Sequence, residues 1–158
     1  MGIALFGLTG DPLHNGHLRV VSCIKSMPYV EDLWIHVNYK PSYKKKTLFS
    51  FEERLEFAKE FGAKIIPGRF SFTHEVLKWL RSMYGKKKNI FFFVGQEWQI
   101  GNFKNADYVK KNCDPVIIRP NEINIRSTTI REMIKKKEHL DGLVPNNVLK
   151  VIKEKFYV

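Results

Sequence analysis

The segment GLTGDPLHNGH, Gly7 to His17, sets two imidazoles three residues apart, His14 and His17, among three glycines and a proline. Side chains at i and i+3 share one face of a helix, and the free amides of a helix start attract anions, helped by the helix dipole. The segment therefore suits a phosphate clamp. Gly7 and Gly10 lack a β-carbon and can let a ligand approach the backbone closely. Gly16, inside a helix, would cost stability unless something packs tightly against it. Other readings of this segment stay open. A zinc pair would need a third ligand, and His36, His74 and His139 form no such motif. A dinucleotide fingerprint would need G-x-G-x-x-G, which Gly7, Gly10 and Gly16 do not spell. An ordinary turn carrying two surface histidines also fits.

A second segment, INIRSTTIREMI from Ile123 to Ile134, places Ser127, Thr128 and Thr129 at a helix N-terminus, with Arg131 one turn further in. Ser127 could serve as a plain N-cap. Hydroxyls and free amides beside an arginine fork would also cradle a polyphosphate. Arg126, five residues before Arg131, adds a guanidinium that could reach a terminal phosphate in a bidentate bond, or could point to solvent.

The elements that must carry these residues follow from periodicity. Ile3–Phe6 predicts a short buried strand, and Asn15–Met27 a helix with Leu18, Val21 and Ile24 or Cys23 inward. Leu33–Val37 predicts a second strand, followed by a Lys-rich loop. Ser50 and Glu53 have capping-box spacing for a helix that runs to Phe61 and stops at Gly62. Lys64–Ile66 predicts a third strand, Thr73–Tyr84 a helix with Val76, Leu77, Leu80 and Met83 in phase, and Asn89–Val94 a fourth, continuously apolar strand. Val116–Ile118 predicts the fifth, with helices opening at Ser127 and spanning Pro145–Lys155. The alternation implies an α/β fold: a Rossmann-like doubly wound parallel sheet of about five strands with helices on both faces. Ligands bind such sheets at the carboxyl ends of the strands, where Gly7–His17 would lie.

A chain of 158 residues with 44% hydrophobic content and no linker or repeat is expected to form one domain over residues 1–158. No apolar stretch nears the ~18 residues of a membrane span, and two distant cysteines, Cys23 and Cys113, make no disulfide framework. A reducing cytoplasm is the expected location. The net charge of +11 favours anionic partners, phosphorylated metabolites or nucleic acid. Much of it lies in Lys44–Lys46, Lys86–Lys88 and Lys135–Lys137, which a solvated surface would also explain.

Gly7–His17 resembles the G-x-x-x-x-P-x-H-x-G-H signature, and Ile125–Arg131 the I-S-S-T-x-I-R signature, of nucleotidyltransferases with a Rossmann-like fold. Within them the chain is most similar to nicotinate or nicotinamide mononucleotide adenylyltransferases. Pro41-Ser42-Tyr43-Lys44 resembles their P-P-H-K loop, Ser71-Phe72-Thr73 their S-Y-T element, and Gly95-Gln96-Glu97 their G-x-D. The ending from Val144-Pro145 to Phe156-Tyr157 matches as well. Departures stand at Gly10 (family Phe), Arg126 (Ser), Tyr43 (His), Glu97 (Asp) and Phe103 (Trp).

The resemblance implies attack by the 5′-phosphate of a pyridine mononucleotide on the α-phosphorus of ATP, with release of pyrophosphate. His14, His17, Arg131 and Lys44 would be catalytic, and His17 is expected to act through transition-state charge, not through folding. ATP would contact Gly7, Leu8, Thr9, Gly16, Gly95, Glu97, Arg126, Ser127 and Thr128. Thr9, Lys44, Phe72, Thr73 and Trp98 would hold the mononucleotide, although Phe72 and Trp98 could equally be core residues. Mg2+ would ride on the ATP phosphates with no protein side-chain ligand. The nearest enzymatic rival is pantetheine-phosphate adenylyltransferase, whose R-G-x-R element is absent here. An inactive basic α/β domain that binds nucleic acid is the non-enzymatic rival, and no nucleic-acid recognition motif supports it. Oligomeric state and the choice between acid and amide are not legible.

Overall fold

The computed structural model describes residues 1–41, 46–95, 100–118 and 125–158. Five strands form one sheet: β1 (Gly2–Leu8), β2 (Val30–Val37), β3 (Lys64–Ile65), β4 (Asn89–Val94) and β5 (Asp114–Ile117). Their order is β3-β2-β1-β4-β5, and every neighbouring pair is parallel. Six α-helices accompany them among the described residues: α1 (Asn15–Lys25), α2 (Phe51–Ala58), α3 (Thr73–Tyr84), α4 (Ala106–Asn112), α5 (Ser127–Lys135) and α6 (Asn146–Phe156).

Strand periodicity sorts the sheet into two cores. Ala4, Phe6 and Leu8 of β1 face one side with Leu33, Ile35 and Val37 of β2 and Phe93 of β4, and α1, α2, α5 and α6 cover them. Ile3 and Leu5 face the other side with Ile90, Phe92 and Val94, beneath α3 and α4. Alternate side chains of one strand point to opposite faces, so a strand buried on both sides must be apolar throughout. This accounts for the run Phe91-Phe92-Phe93. Strand order reverses between β1 and β4, whose carboxyl ends open a crevice. Phe6 pairs with Phe93 and Gly7 with His36, so the Gly7–His17 segment leaves the sheet beside that crevice.

Ser50 Oγ accepts from Glu53 N at 3.1 Å, and Glu53 Oε1 accepts from Ser50 N at 3.0 Å, which starts α2. A 3-10 turn over Lys59–Phe61 ends at Gly62, whose φ of 58° suits glycine.

Several expectations need correction. Val20 is buried on α1 and Cys23 is exposed, because the helix presents Gly16, Val20, Val21 and Ile24 to the sheet. Met83, in phase with Leu80, lies past the packed part of α3 and is 49% exposed. β5 starts earlier than expected, at Asp114-Pro115, which an edge strand tolerates. Helix α4 was not legible because Val109 is its only buried residue, which leaves no apolar period to read. Among the described residues no helix is long and apolar enough to cross a membrane.

Candidate active site

After β1 the chain turns through Gly10, at φ 67°, a conformation that favours glycine over the aromatic residue the resemblance would place there. His14 then takes the N-cap position of α1 with extended backbone. His17 N donates to His14 Nδ1 at 3.3 Å and His14 N donates to His17 Nδ1 at 3.1 Å. The pair thus forms a capping box, usually the work of Ser and Glu. The rings stack at 3.7 Å between centroids, 15° from parallel.

These bonds settle the chemistry of both rings. Each Nδ1 accepts a backbone hydrogen and is unprotonated, so a neutral ring must carry its proton on Nε2. Neither Nε2 has a protein partner among the described residues. Burial pushes the His14 pKa down to about 4. Burial, and secondarily the neighbouring charge of His14, holds His17 well below its ordinary value. At neutral pH the stacked pair offers two uncharged N–H donors. His17 therefore has a part in folding, as a partner in the cap of α1, which corrects the expectation that it has none.

The second signature is bonded directly to the first. Ser127 Oγ donates to the Pro12 carbonyl at 3.0 Å, and Arg131 Nη1 donates to the Asp11 carbonyl at 2.7 Å. Arg131 Nη2 donates to Thr128 Oγ1 at 3.0 Å. The entry to α6 braces the same corner, because Asn15 bonds the carbonyls of Leu143 and Gly142. Two helix starts, α1 and α5, thus converge on one place with donors from both. This is the geometry of a site for a chain of phosphates.

A cytidylyltransferase-like family model matches residues 5–133, which takes in both signatures. The chain belongs to the cytidylyltransferase-like family. Full-length relatives carry a more specific name. A protein of Fusobacterium nucleatum named "Probable nicotinate-nucleotide adenylyltransferase" is 27% identical over 99% of either chain. The nicotinate-nucleotide adenylyltransferase of Bacillus subtilis is 24% identical over 96% of this chain and 95% of its own. The structure of Plasmodium falciparum nicotinic acid mononucleotide adenylyltransferase complexed with NaAD superposes with a TM-score of 0.70 at 16% identity, covering 98% of this chain and 96% of that one.

In this cytidylyltransferase-like chain, Ser127 is not the cap of α5. Arg126 holds the N-cap position, exposed and without a side-chain cap, and Ser127 is the first helical residue. The Ser127 hydroxyl proton is committed to Pro12, so its backbone amide is the group left for an anion. Thr128 Oγ1 accepts from Arg131 and keeps its own proton to donate.

Two further residues hold the site together and were not singled out from the sequence. Asp11 is 1% exposed; its Oδ2 accepts from Leu48 N at 2.9 Å and its Oδ1 from Phe49 N at 2.8 Å. Arg54, 2% exposed on α2, donates to the carbonyls of Thr9 (2.9 Å), Asn38 (2.6 Å), Tyr39 (3.0 Å) and Phe49 (3.3 Å). One buried guanidinium thereby ties the loops after β1 and β2 to the start of α2. The available signal was an arginine three residues after Phe51 and three before Phe57, on the inner face of a helix.

The pyridine-side candidates sit along the same edge. His36, paired with Gly7, donates from Nε2 to the Phe70 carbonyl at 2.9 Å, and Tyr39 N bonds the same oxygen. Phe72 precedes α3, half-buried and outside both cores, with its amide on Glu75 Oε1 at 3.1 Å; Thr73 opens the helix. Leu8 is buried in the core, Gly16, which lies between the two histidines in sequence, is buried on α1, and Gly95 follows β4 directly. Lys44, Glu97 and Trp98 lie outside the described residues, as do Tyr43 and Gln96. No group of three His, Cys, Asp or Glu among the described residues could hold a metal ion.

Proposed function

We propose that the chain is a nicotinate-nucleotide adenylyltransferase, which transfers AMP from ATP to nicotinate mononucleotide, or to its amide, in NAD biosynthesis. The observation that carries the reading is the junction of the two signatures: paired Nε2–H donors of His14 and His17 beside the start of α5, in a chain whose full-length relatives bear that name. A 5′-phosphate oxygen of the mononucleotide attacks the α-phosphorus, the bond to the bridging oxygen breaks, and pyrophosphate leaves. No side chain becomes a nucleophile. The barrier is the approach of two anions and charge growing on phosphoryl oxygens, which preorganised donors stabilise.

In this scheme His14 and His17 donate to ATP phosphates from neutral rings. The amides of Ser127 and Thr128, with the Thr128 hydroxyl and Arg131, hold the β and γ groups. The backbone from Gly7 through Leu8 to Thr9 contacts ATP, Thr9 and the backbone near Gly7 also orient the mononucleotide, and Gly16 and Gly95 leave room for ATP. Lys44 supplies charge from its loop, Glu97 accepts from a ribose hydroxyl, and Phe72, Thr73 and Trp98 border the pyridine. Magnesium fits as an ion carried by the phosphates: the Asp11 carboxylate accepts two backbone amides, and the other described donors are imidazoles, hydroxyls and amides. When bound, it would neutralise phosphate charge.

Pyrophosphate release from ATP and a divalent cation, measured against nicotinate mononucleotide, nicotinamide mononucleotide and phosphopantetheine, tests the reading. Turnover with a pyridine mononucleotide is expected. Turnover with phosphopantetheine alone would move the chain to the pantetheine branch, and none at all would remove the enzymatic reading.

A further inference from the structure

Nicotinate and nicotinamide mononucleotides differ only in a carboxylate against an amide on the ring, so a cation at the ring's rim can choose between them. Lys104 is placed to be that cation. Its Nζ lies 4.4 Å from the centroid of the Phe72 ring, and this is its one described contact. The nearest carboxylate in sequence to Phe72, Glu75, is committed to the Phe72 amide. Among the described residues no ion pair holds the Lys104 ammonium.

The position of Lys104 is set by its neighbours. A 3-10 turn over Ile100–Asn102 is closed by Phe103 N on the Ile100 carbonyl at 3.0 Å. The Phe103 ring packs edge-on against Phe92 at 5.7 Å, inside the core beneath α3 and α4. Phe103 is thus anchored in the sheet, and the next residue is carried to the Phe72 side. Asn105, at φ 58°, then turns the chain into α4.

The His74 ring stacks against Phe72 at 5.8 Å, 21° from parallel, and the Lys104 ammonium lies over the Phe72 ring at 4.4 Å. A pyridine stacked on the face that Lys104 covers would lie with its centroid about 4.5–7 Å from the Phe72 centroid and would compete with the ammonium for that face. Both cannot hold it. The cation–π contact is weak at an exposed site, and the four-carbon stem of lysine is flexible. An incoming ring would displace the ammonium to its rim, where a carboxylate would pair with it and an amide would not. We infer that Lys104 is a specificity-determining residue that selects nicotinate mononucleotide over nicotinamide mononucleotide by pairing with the ring carboxylate. The inference rests on the adenylyltransferase reading above and names the substrate of that same site.

The test is kcat and KM for both mononucleotides with the wild-type enzyme, Lys104→Met and Lys104→Arg, with melting temperature as a folding control. Lys104→Met is expected to lower the acid-to-amide ratio of kcat/KM at least about tenfold, the loss falling on the acid's KM, as for a lost bond to a charged group. Lys104→Arg should keep most of the ratio. A ratio in Lys104→Met within twofold of wild type, or an equal fall with both substrates, would overturn the role of Lys104 while leaving the activity assigned. Wild-type enzyme that turns over neither mononucleotide would instead sink the reading on which this rests.

Discussion

On the β1 side of the carboxyl edge, His14 and His17 cap each other's amides, Ser127 and Arg131 bond Pro12 and Asp11, and Arg54 gathers four carbonyls. On the β3 side, the bonds of Phe72 are those of its own helix start, to Glu75 and Val76, its ring stacks against His74, and Lys104 lies over that ring. The first region is cross-linked within the chain; the second holds a contact that the proposed pyridine would have to replace. Phosphoryl transfer depends on donors that need no reorganisation as charge develops. Choosing between two flat rings depends on a difference in binding energy at one substituent. The two regions should therefore respond differently to substitution: the phosphate side in stability and rate together, the ring side in substrate preference.

Arg54→Met tests the phosphate side most severely. It removes every bond from the guanidinium to Thr9, Asn38, Tyr39 and Phe49 and leaves buried carbonyls short of donors. At about 1–3 kcal/mol for each unsatisfied group, partly offset by relief of a buried charge, a net loss of at least about 3 kcal/mol is expected in denaturant unfolding. Turnover should fall with both mononucleotides alike. A variant of normal stability and rate would show that the loops hold without it.

His36 joins the two regions through Phe70, and burial pushes its pKa down to about 4. In the unfolded chain its pKa returns to 6.5, so on acidification the unfolded state takes up protons first. Its contribution is complete above pH 6.5 and is lost between there and pH 4, by about 3 kcal/mol at roughly 1.4 kcal/mol per unit. Unfolding free energies across that window should decline less steeply in His36→Gln. Equal slopes in both proteins would contradict the assignment.

For His17→Ala, kcat should drop by ~10²-fold, equivalent to ~2.7 kcal/mol, and stability by about 1 kcal/mol through loss of the cap. His17→Glu separates the two effects. Glutamate is the usual partner at that position of a capping box, so stability should return while turnover stays low. Recovery of both would mean that the imidazole Nε2 has no part in the reaction.

The smallest effect is expected at Arg126, the exposed member of the phosphate side. Arg126→Ser should weaken ATP binding by about 1.5 kcal/mol, the low end for a bond to a charged group. It should also raise stability slightly, because serine at that position can cap α5. Equal ATP dissociation constants by calorimetry would leave the arginine as a surface group.

What the sequence determined by itself was whatever depends on near neighbours in the chain. Short apolar runs and helical spacing revealed the five strands and five of the six described helices, because a strand buried on both faces is apolar throughout and burial on one helix face is written in a period of 3.6. The Ser50–Glu53 box and the stop at Gly62 were legible for the same reason. The two signatures pointed to the candidate phosphate site because their residue types are the ones anions require. Tertiary structure alone decided which atoms would be available there. Ser127 and Pro12, or Arg131 and Asp11, lie more than a hundred residues apart, and only the parallel sheet brings their backbones into bonding distance. The histidine tautomers depend on the exact turn of backbone at His14, and the burial of Arg54 on four carbonyls from separate loops. Lys104 over Phe72 joins segments on different strands' loops, which no local spacing encodes. Proton positions and partner choice at a site are set by distances through space, and those exist only after the chain has folded.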